Sequence, residues 1–396
     1  MKAIKKIFDK VRPHFEEGGN CHALHSVYEG IECFLFVPNT TSTTGTHVHD
    51  AIDSKRIMSF VVIALMPAML FGMYNVGYQY YVHVGIEGDF FDKFLYGFLA
   101  VLPKIVVTYV VGLGIEFVVA QWKKEEIQEG FLVTGMLIPM IVPVDCPLWI
   151  IAIATAFAVI FAKEVFGGTG MNIFNVALVA RVFMFFSYPT KMSGDAVWVA
   201  SKSIFGLGKT VDGMTAATSL GIASTSATPA GCPPFSWDMV TGFIPGSIGE
   251  TSVIAILIGA LILLWTGVAS WKTMLSVFLG GALMAWIFNF CGPHTAMAHM
   301  PWYEHLVLGG FCFGAVFMAT DPVTSARTET GKYIYGFLIG ALAIFIRVLN
   351  PGFPEGMMFA ILFMNIFAPL IDYFVVQHNI SRRVKRVTKT TINSDE

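Results

Sequence analysis

The chain has 396 residues, 55% of them hydrophobic and only 13% charged, with a formal net charge of −2. A soluble domain carries about a quarter charged residues, so the composition points to an all-α integral membrane protein. The apolar runs are long and continuous, which excludes an outer-membrane barrel with its short alternating segments, and the near-neutral charge excludes a broad basic footprint for nucleic acid.

The opening "MKAIKKIFDKVRPHFEEGG" is charged throughout and lacks the apolar core of a signal peptide. Residues 1–55 therefore read as an N-terminal segment in water, amphipathic near 4–15. A first membrane repeat is expected over 56–189. Its spans fall near 57–80, 98–121 and 148–165. The piece 130–142, interrupted by Pro139 and followed by Pro143 and Pro147, is too short to cross about 30 Å of hydrocarbon. A further run, 167–189, is broken at its start by glycines. A weakly charged loop, 190–250, separates this repeat from a second one over 251–378. There, spans are expected near 252–269, 274–290, 333–348 and 357–376, with an interrupted segment at 306–326. A basic tail, 379–396, closes the chain. The total is about ten transmembrane helices, some of them broken.

Lys2, Lys5, Lys6, Lys10 and Arg12 precede the first span. Lys123 and Lys124 follow the second, and Arg382, Arg383, Lys385 and Arg386 follow the last. The positive-inside rule makes all three places cytoplasmic, and ten crossings bring both termini to that side. The loop 190–250 then falls outside. A Gly-rich apolar piece ending at proline occurs in each half, "GFLVTGMLIPMIVP" and "GGFCFGAVFMATDP". Five crossings per half make the halves inverted repeats, whose discontinuous helices expose backbone groups near the midplane. Recurrence of small-residue packing motifs gives the same pattern without duplication.

Acids inside apolar runs are functional candidates because they are costly there. Glu116 lies in "VVGLGIEFVVA", one turn after Gly112, and Asp321 lies at the break of "FMATDPVTSA". Pro322 removes a backbone donor beside Asp321, leaving carbonyls that suit a hard cation such as Na⁺. Asp321 also reads as the cap of its own turn, Glu355 as a loop residue or cap, and Asp372 as a solvated helix end. Lys163 and Glu164 are adjacent in "FAKEVFGG". Asn172, Asn175 and Arg181 lie along "GGTGMNIFNVALVAR", where asparagine either caps a helix or binds a polar ring. "GGTG" lacks the strand–helix context of a dinucleotide site. His47 and His49 have no further ligand nearby and read as a solvated loop. The six cysteines show no CxxC spacing, so this chain alone is expected to hold neither zinc nor an iron–sulfur cluster.

Several stretches together resemble one family: "PAMLFGMYN", "AKEVFGGTGMNIFNVALVARVFMFFSYP", "IPGSIGE", "MPWYEHLVLGGF", "FMATDPVTSA", "IRVLNPGFPEGMM" and "FAPLIDYFVV". The chain is similar along essentially its whole length to the B subunit of the Na⁺-translocating NADH:quinone oxidoreductase, and more distantly to the D subunit of the Rnf-type complex. The resemblance implies FMN joined by a phosphoester to a threonine in a motif close to D-x-x-[ST]-[GA]-A-T. "DGMTAATSL" supplies Asp212, Thr215, Ala216, Ala217 and Thr218, with Thr218 as acceptor. Here Thr215 and Ala216 stand where serine and glycine are usual, and Val176 stands where proline is usual.

Further implications of the resemblance are a noncovalent riboflavin near Asn172 and Asn175, and a ubiquinone region at Gly112 and Glu116. Glu29, Asp321 and Asp372 match acids of the Na⁺ pathway. The implied partners are a second FMN-carrying subunit, an FAD- and iron–sulfur-bearing NADH dehydrogenase subunit, and a flavin transferase acting outside the cytoplasm. The implied location is a bacterial inner membrane. The transferase supplies the attachment chemistry, so the acceptor segment needs an accessible hydroxyl with small neighbours and no local base. The alternatives are an Rnf-type subunit and a non-redox channel for a small solute built on the same repeats.

Overall fold

The computed structural model describes residues 2–15, 25–36, 44–46, 54–123, 130–201, 203–204, 207–210, 215–226 and 228–394. The N-terminal part forms α1 (Lys2–Val11) and α2 (His25–Leu35). The first half of the bundle follows as α3 (Ser54–Val84), α4 (Phe90–Lys123), α5 (Phe131–Met140), α6 (Leu148–Ala158) and α7 (Val176–Ser187). The intervening loop carries the short α8 (Pro189–Met192), α9 (Ser219–Thr225) and α10 (Asp238–Thr241). The second half contains α11 (Val253–Trp265), α12 (Trp271–Cys291), the short α13 (Ala296–His299) and α14 (Trp302–Val307), α15 (Phe311–Phe313), α16 (Glu329–Leu349) and α17 (Met357–Ser394).

Among the described residues, six helical stretches are long and apolar enough to cross a membrane: Arg56–Val84, Phe90–Lys123, Leu148–Phe166, Trp271–Cys291, Glu329–Leu349 and Met357–Arg386. α5, α7 and α11 are shorter apolar helices, and α15 continues only through a π-turn, Gly314–Met318. Together these occupy the places of the ten expected segments, and the chain is an all-α integral membrane protein. Many large apolar side chains, including Phe91, Val118, Trp265 and Phe290, face outward, as lipid contact requires.

The third piece of each half is a short helix interrupted by turns and proline-containing backbone, after α5 in the first half and on both sides of α15 and its π-turn in the second. Carbonyls freed there need donors, because hydrocarbon offers none. After α5, the buried Lys104 of α4 donates to Val144 O (2.7 Å) and Cys146 O (2.9 Å). Gly249 N covers Met140 O at 2.7 Å. Around the break before α15, the fully buried Arg347 of α16 donates to His305 O (2.6 Å), Leu308 O (3.3 Å) and Glu355 O (3.1 Å). Each half therefore uses a buried cation on a neighbouring span to satisfy its broken segment.

Small residues set the close packing, as is usual in membranes. Gly280 and Gly340 let α12 and α16 approach backbone to backbone. The two halves meet where α3 packs on α11. Gly259 lies directly against the Ala64 carbonyl, and Gly72 against the carbonyl of Ile248 in the connecting loop. Asn75 of α3 fastens that loop further, donating to Ile244 O (3.0 Å) and Thr251 Oγ1 (3.4 Å).

Candidate functional site

Two cavities lie toward opposite ends of α7. The wider, about 250 Å³, is bounded by the long loop and by the ends of α7 and α16, and its wall includes Thr218, Trp198, Arg181, Glu250 and Glu355. The narrower, about 90 Å³, lies beside the start of α3, with Lys163, Thr169, Asn172, Asn175 and Asp321 on its wall.

Thr218 is half-buried, and its Oγ1 accepts from Gly221 N (3.0 Å) as the cap of α9. Thr215 is exposed and Ala216 is buried. The Ala216 amide donates to Asp195 O at 2.7 Å, so the segment is pinned to the loop that forms the same cavity. Upstream, Tyr80 of α3 stacks on Tyr96 with ring centroids 4.1 Å apart, and its hydroxyl donates to Lys209 O (2.7 Å). Asp212 lies outside the described residues, as do His47 and His49.

Under this cavity Arg181 holds two carboxylates. Its Nη1 donates to Glu250 Oε1 at 2.6 Å, and its Nη2 pairs with Glu355. Arg181 and Glu250 are buried. Glu355 lies in the turn before α17, as expected of a loop residue, and it also forms an ion pair with Arg181. Glu250 carried no signal beyond its place in "IPGSIGE". Aromatic faces (Trp198, Phe185, Phe353), several hydroxyls and glycine backbone make the wall suitable for a flat polar-edged ring.

In the narrower cavity, Asn175 does two jobs. Its Oδ1 caps α7, accepting from Ala177 N (3.1 Å) and Leu178 N (3.3 Å), while its Nδ2 donates to Asp321 Oδ2 (3.2 Å). Val176 occupies the first helical position, where an amide is spare and proline fits equally well, so the valine leaves the cap intact. Asn172 makes only a local turn, donating to Phe174 O at 3.0 Å. Asp321 also accepts from Val323 N (3.0 Å) and Thr324 Oγ1 (3.1 Å), which fits the turn-capping reading. With three donors engaged, it is not a bare cation ligand. The hydroxyl of Thr169 is buried without a partner among the described residues, a group left open for something that enters the cavity.

Glu116 is not isolated, as its apolar flanks suggest. It pairs with Lys163, each side chain 5% exposed. Lys163 ends a π-turn, Val159–Lys163, that interrupts the helix begun by α6. Gly112, one turn before Glu116, sits against the ring of buried Phe131, so its first consequence is close packing of α4 on α5. Asp372 ties α17 to the start of α16, accepting from Arg327 N (2.7 Å), Thr328 N (3.0 Å) and Thr328 Oγ1 (2.6 Å). It is therefore more than a solvated helix end. Glu29 lies on α2. No cluster of metal-ligating side chains occurs among the described residues.

Residues 41–381 match the model of the NQR2, RnfD, RnfE family. Several relatives carry the name of the B subunit of Na(+)-translocating NADH-quinone reductase. The protein from Chromohalobacter salexigens is 45% identical over 406 residues, 97% of this chain and 96% of its own. That from Pseudomonas aeruginosa is 44% identical over 409 residues, 97% and 99% of the two chains. That from Pseudoalteromonas atlantica is 43% identical over 410 residues, again 97% and 99% of the two chains. On a match that covers nearly the whole chain at this identity, the protein belongs to the NQR2, RnfD, RnfE family.

Proposed function

We propose that this chain is the flavin-carrying membrane subunit of a Na⁺-pumping NADH:ubiquinone oxidoreductase. The single observation that carries the reading is the position of Thr218. It stands on the wall of the wider cavity, at the end of a loop that α3 and the Asp195 carbonyl hold in place. An FMN joined to Thr218 through its phosphate would lie at a cavity whose wall includes the aromatic residues Trp198 and Phe353. Arg181 lies on the wall of this cavity, and Thr215 and Asp212 are proposed as cofactor-binding residues from the sequence motif. Oriented by the basic segments, this cavity is on the outer side, where a flavin transferase acts.

The narrower cavity suits a riboflavin held without a covalent bond. Asn172, Asn175 and Thr169 offer polar groups, and Phe317 and Val61 offer apolar faces. Its volume requires the side chains to part as the ring enters. Ubiquinone is placed near Gly112 and Glu116, and Glu29, Glu116, Asp321 and Asp372 serve the Na⁺ route. Flavins and quinone carry the electrons; the protein positions them, excludes water and couples their charge to a cation. Other subunits, including a second FMN carrier and an FAD/iron–sulfur NADH dehydrogenase, supply the electrons, in a bacterial inner membrane with both termini cytoplasmic. The full-length similarity to proteins named for the Na(+)-translocating reductase favours this reading over the Rnf-type one.

In-gel fluorescence of the denatured chain tests the proposal. A fluorescent band that disappears in Thr218→Val is the expected result. A wild-type chain without fluorescence after expression with its transferase would instead leave the non-redox channel.

A further inference from the structure

Lys163 touches both places where charge has to be managed. Its ammonium pairs with Glu116 in the interior, and the same residue lines the narrower cavity beside Asn175 and Asp321. A π-turn widens a helix by one residue and is frequent at functional sites. Here it brings Lys163 to the seam between α4 and the cavity. Glu116 uses one oxygen for Lys163, and its other oxygen, Oε2, is buried with no partner among the described residues. A carboxylate half-satisfied in a membrane interior is costly.

Lysine is a compact charge on a flexible four-carbon stem with three donors, so its ammonium can lean either way without backbone movement. The other charged groups nearby are fixed. Asp321 is engaged by three donors, and Glu164 is paired with Lys123 at 3.4 Å. Among the described residues, Lys163 is therefore the one charge at this cavity that is free to change partners.

We propose that Lys163 is a movable countercharge, serving Glu116 and the flavin cavity by turns, and that its departure opens Glu116 to Na⁺. The inference rests on the reading that the narrower cavity holds a noncovalent flavin. Were a flavin in that cavity to gain an electron, the Lys163 ammonium would lean toward the added negative charge and leave both oxygens of Glu116 open to one Na⁺. Loss of the electron would return the ammonium to Glu116 and displace the Na⁺. Lys163 keeps its proton throughout, and no bond forms or breaks at it.

The test uses the assembled complex in membranes, as wild type, Lys163→Met and Glu116→Gln. Riboflavin is measured in acid extracts after chromatographic separation from the FAD of the neighbouring subunit, and its midpoint potential is titrated with and without Na⁺. Removing the countercharge in Lys163→Met should lower the potential by about 59 mV, tenfold in the one-electron equilibrium, or more. Freeing Lys163 from its partner in Glu116→Gln should raise the potential and remove its dependence on Na⁺. These opposite shifts are not expected of a pair that merely holds two helices together. Should Lys163→Met not assemble, Glu116→Gln alone decides. Flavin present with unmoved potentials overturns the proposal, and so does failure of both variants to assemble, since the pair is then structural. Wild-type complex without extractable riboflavin instead overturns the reading beneath it.

Discussion

Asn175 and Asp321 join the two halves of the molecule: the Asn175 amide caps α7 with its oxygen and holds the Asp321 carboxylate with its nitrogen, 3.2 Å away. Asn175→Ala removes both. Loss of the cap alone costs about 0.5–2 kcal/mol, and Asp321 loses a donor in a poorly solvated place. The expected outcome is a lower unfolding temperature in detergent and less extractable flavin. Asn175→Asp keeps an oxygen for the cap but sets a second carboxylate against Asp321. It should therefore lose more flavin than its stability alone accounts for.

Gly112 is the place to separate packing from quinone binding. A methyl group there drives into the buried Phe131 ring, and overpacking of this kind typically costs about 1–3 kcal/mol. Gly112→Ala should lower thermal stability, and Phe131→Leu added to it should recover most of the loss. If the double variant regains stability while the KM for quinone stays raised, Gly112 contacts the quinone. If both recover together, its effect is packing.

Arg181 balances two carboxylates, so its removal should be worse than removal of either partner. Breaking a buried pair from one side costs about 3–5 kcal/mol, and Arg181→Met leaves Glu250 and Glu355 facing each other. We expect little folded protein and no fluorescent band from Arg181→Met. Arg181→Met with Glu250→Gln and Glu355→Gln should recover measurable yield. Membrane yield and in-gel fluorescence, read together, check this.

Cys232 gives a pH test outside the spans. Its sulfur lies 4.0 Å from Glu304 Oε2, and burial first, then that negative neighbour, push the thiol up to about 11. A raised thiol pKa keeps the unreactive protonated form to higher pH, so the thiolate appears only as pH approaches that value. At pH 8 the thiolate is about a hundredfold scarcer than for a thiol near 9. Maleimide labelling at Cys232 should be correspondingly slow, and Glu304→Gln should speed it. Labelling as fast as a free thiol would contradict the raised pKa of Cys232.

Sequence patterning made the membrane class, the two broken segments and the candidate acids legible, because each is local. Apolar runs, prolines and isolated charges declare themselves within about twenty residues. The partners were not legible. Glu116 and Lys163 are 47 positions apart, and Arg181 and Glu355 are 174 apart. Nothing in "VVGLGIEFVVA" says that its acid meets a lysine rather than a cation. Lys104 and Arg347 were overlooked for the same reason. Their signal was a lone basic residue inside "VLPKIVV" or "FIRVL", yet a cation capping broken-helix carbonyls looks in sequence like any buried charge. Thr218 is proposed as the acceptor on resemblance alone, since "DGMTAATSL" carries no chemistry of its own.

The glycine contacts between α3 and its neighbours limit how this protein can move. Where Gly259 meets the Ala64 carbonyl and Gly72 the Ile248 carbonyl, main chain rests on main chain, with no side chain between to yield. Many inverted-repeat transporters alternate access by rocking one bundle against the other; here such a swing would have to prise apart that unyielding seam. On the proposed function, this seam would make the two halves a fixed frame, and coupling would then have to rest on side-chain motions such as that proposed for Lys163 rather than on rocking of the halves.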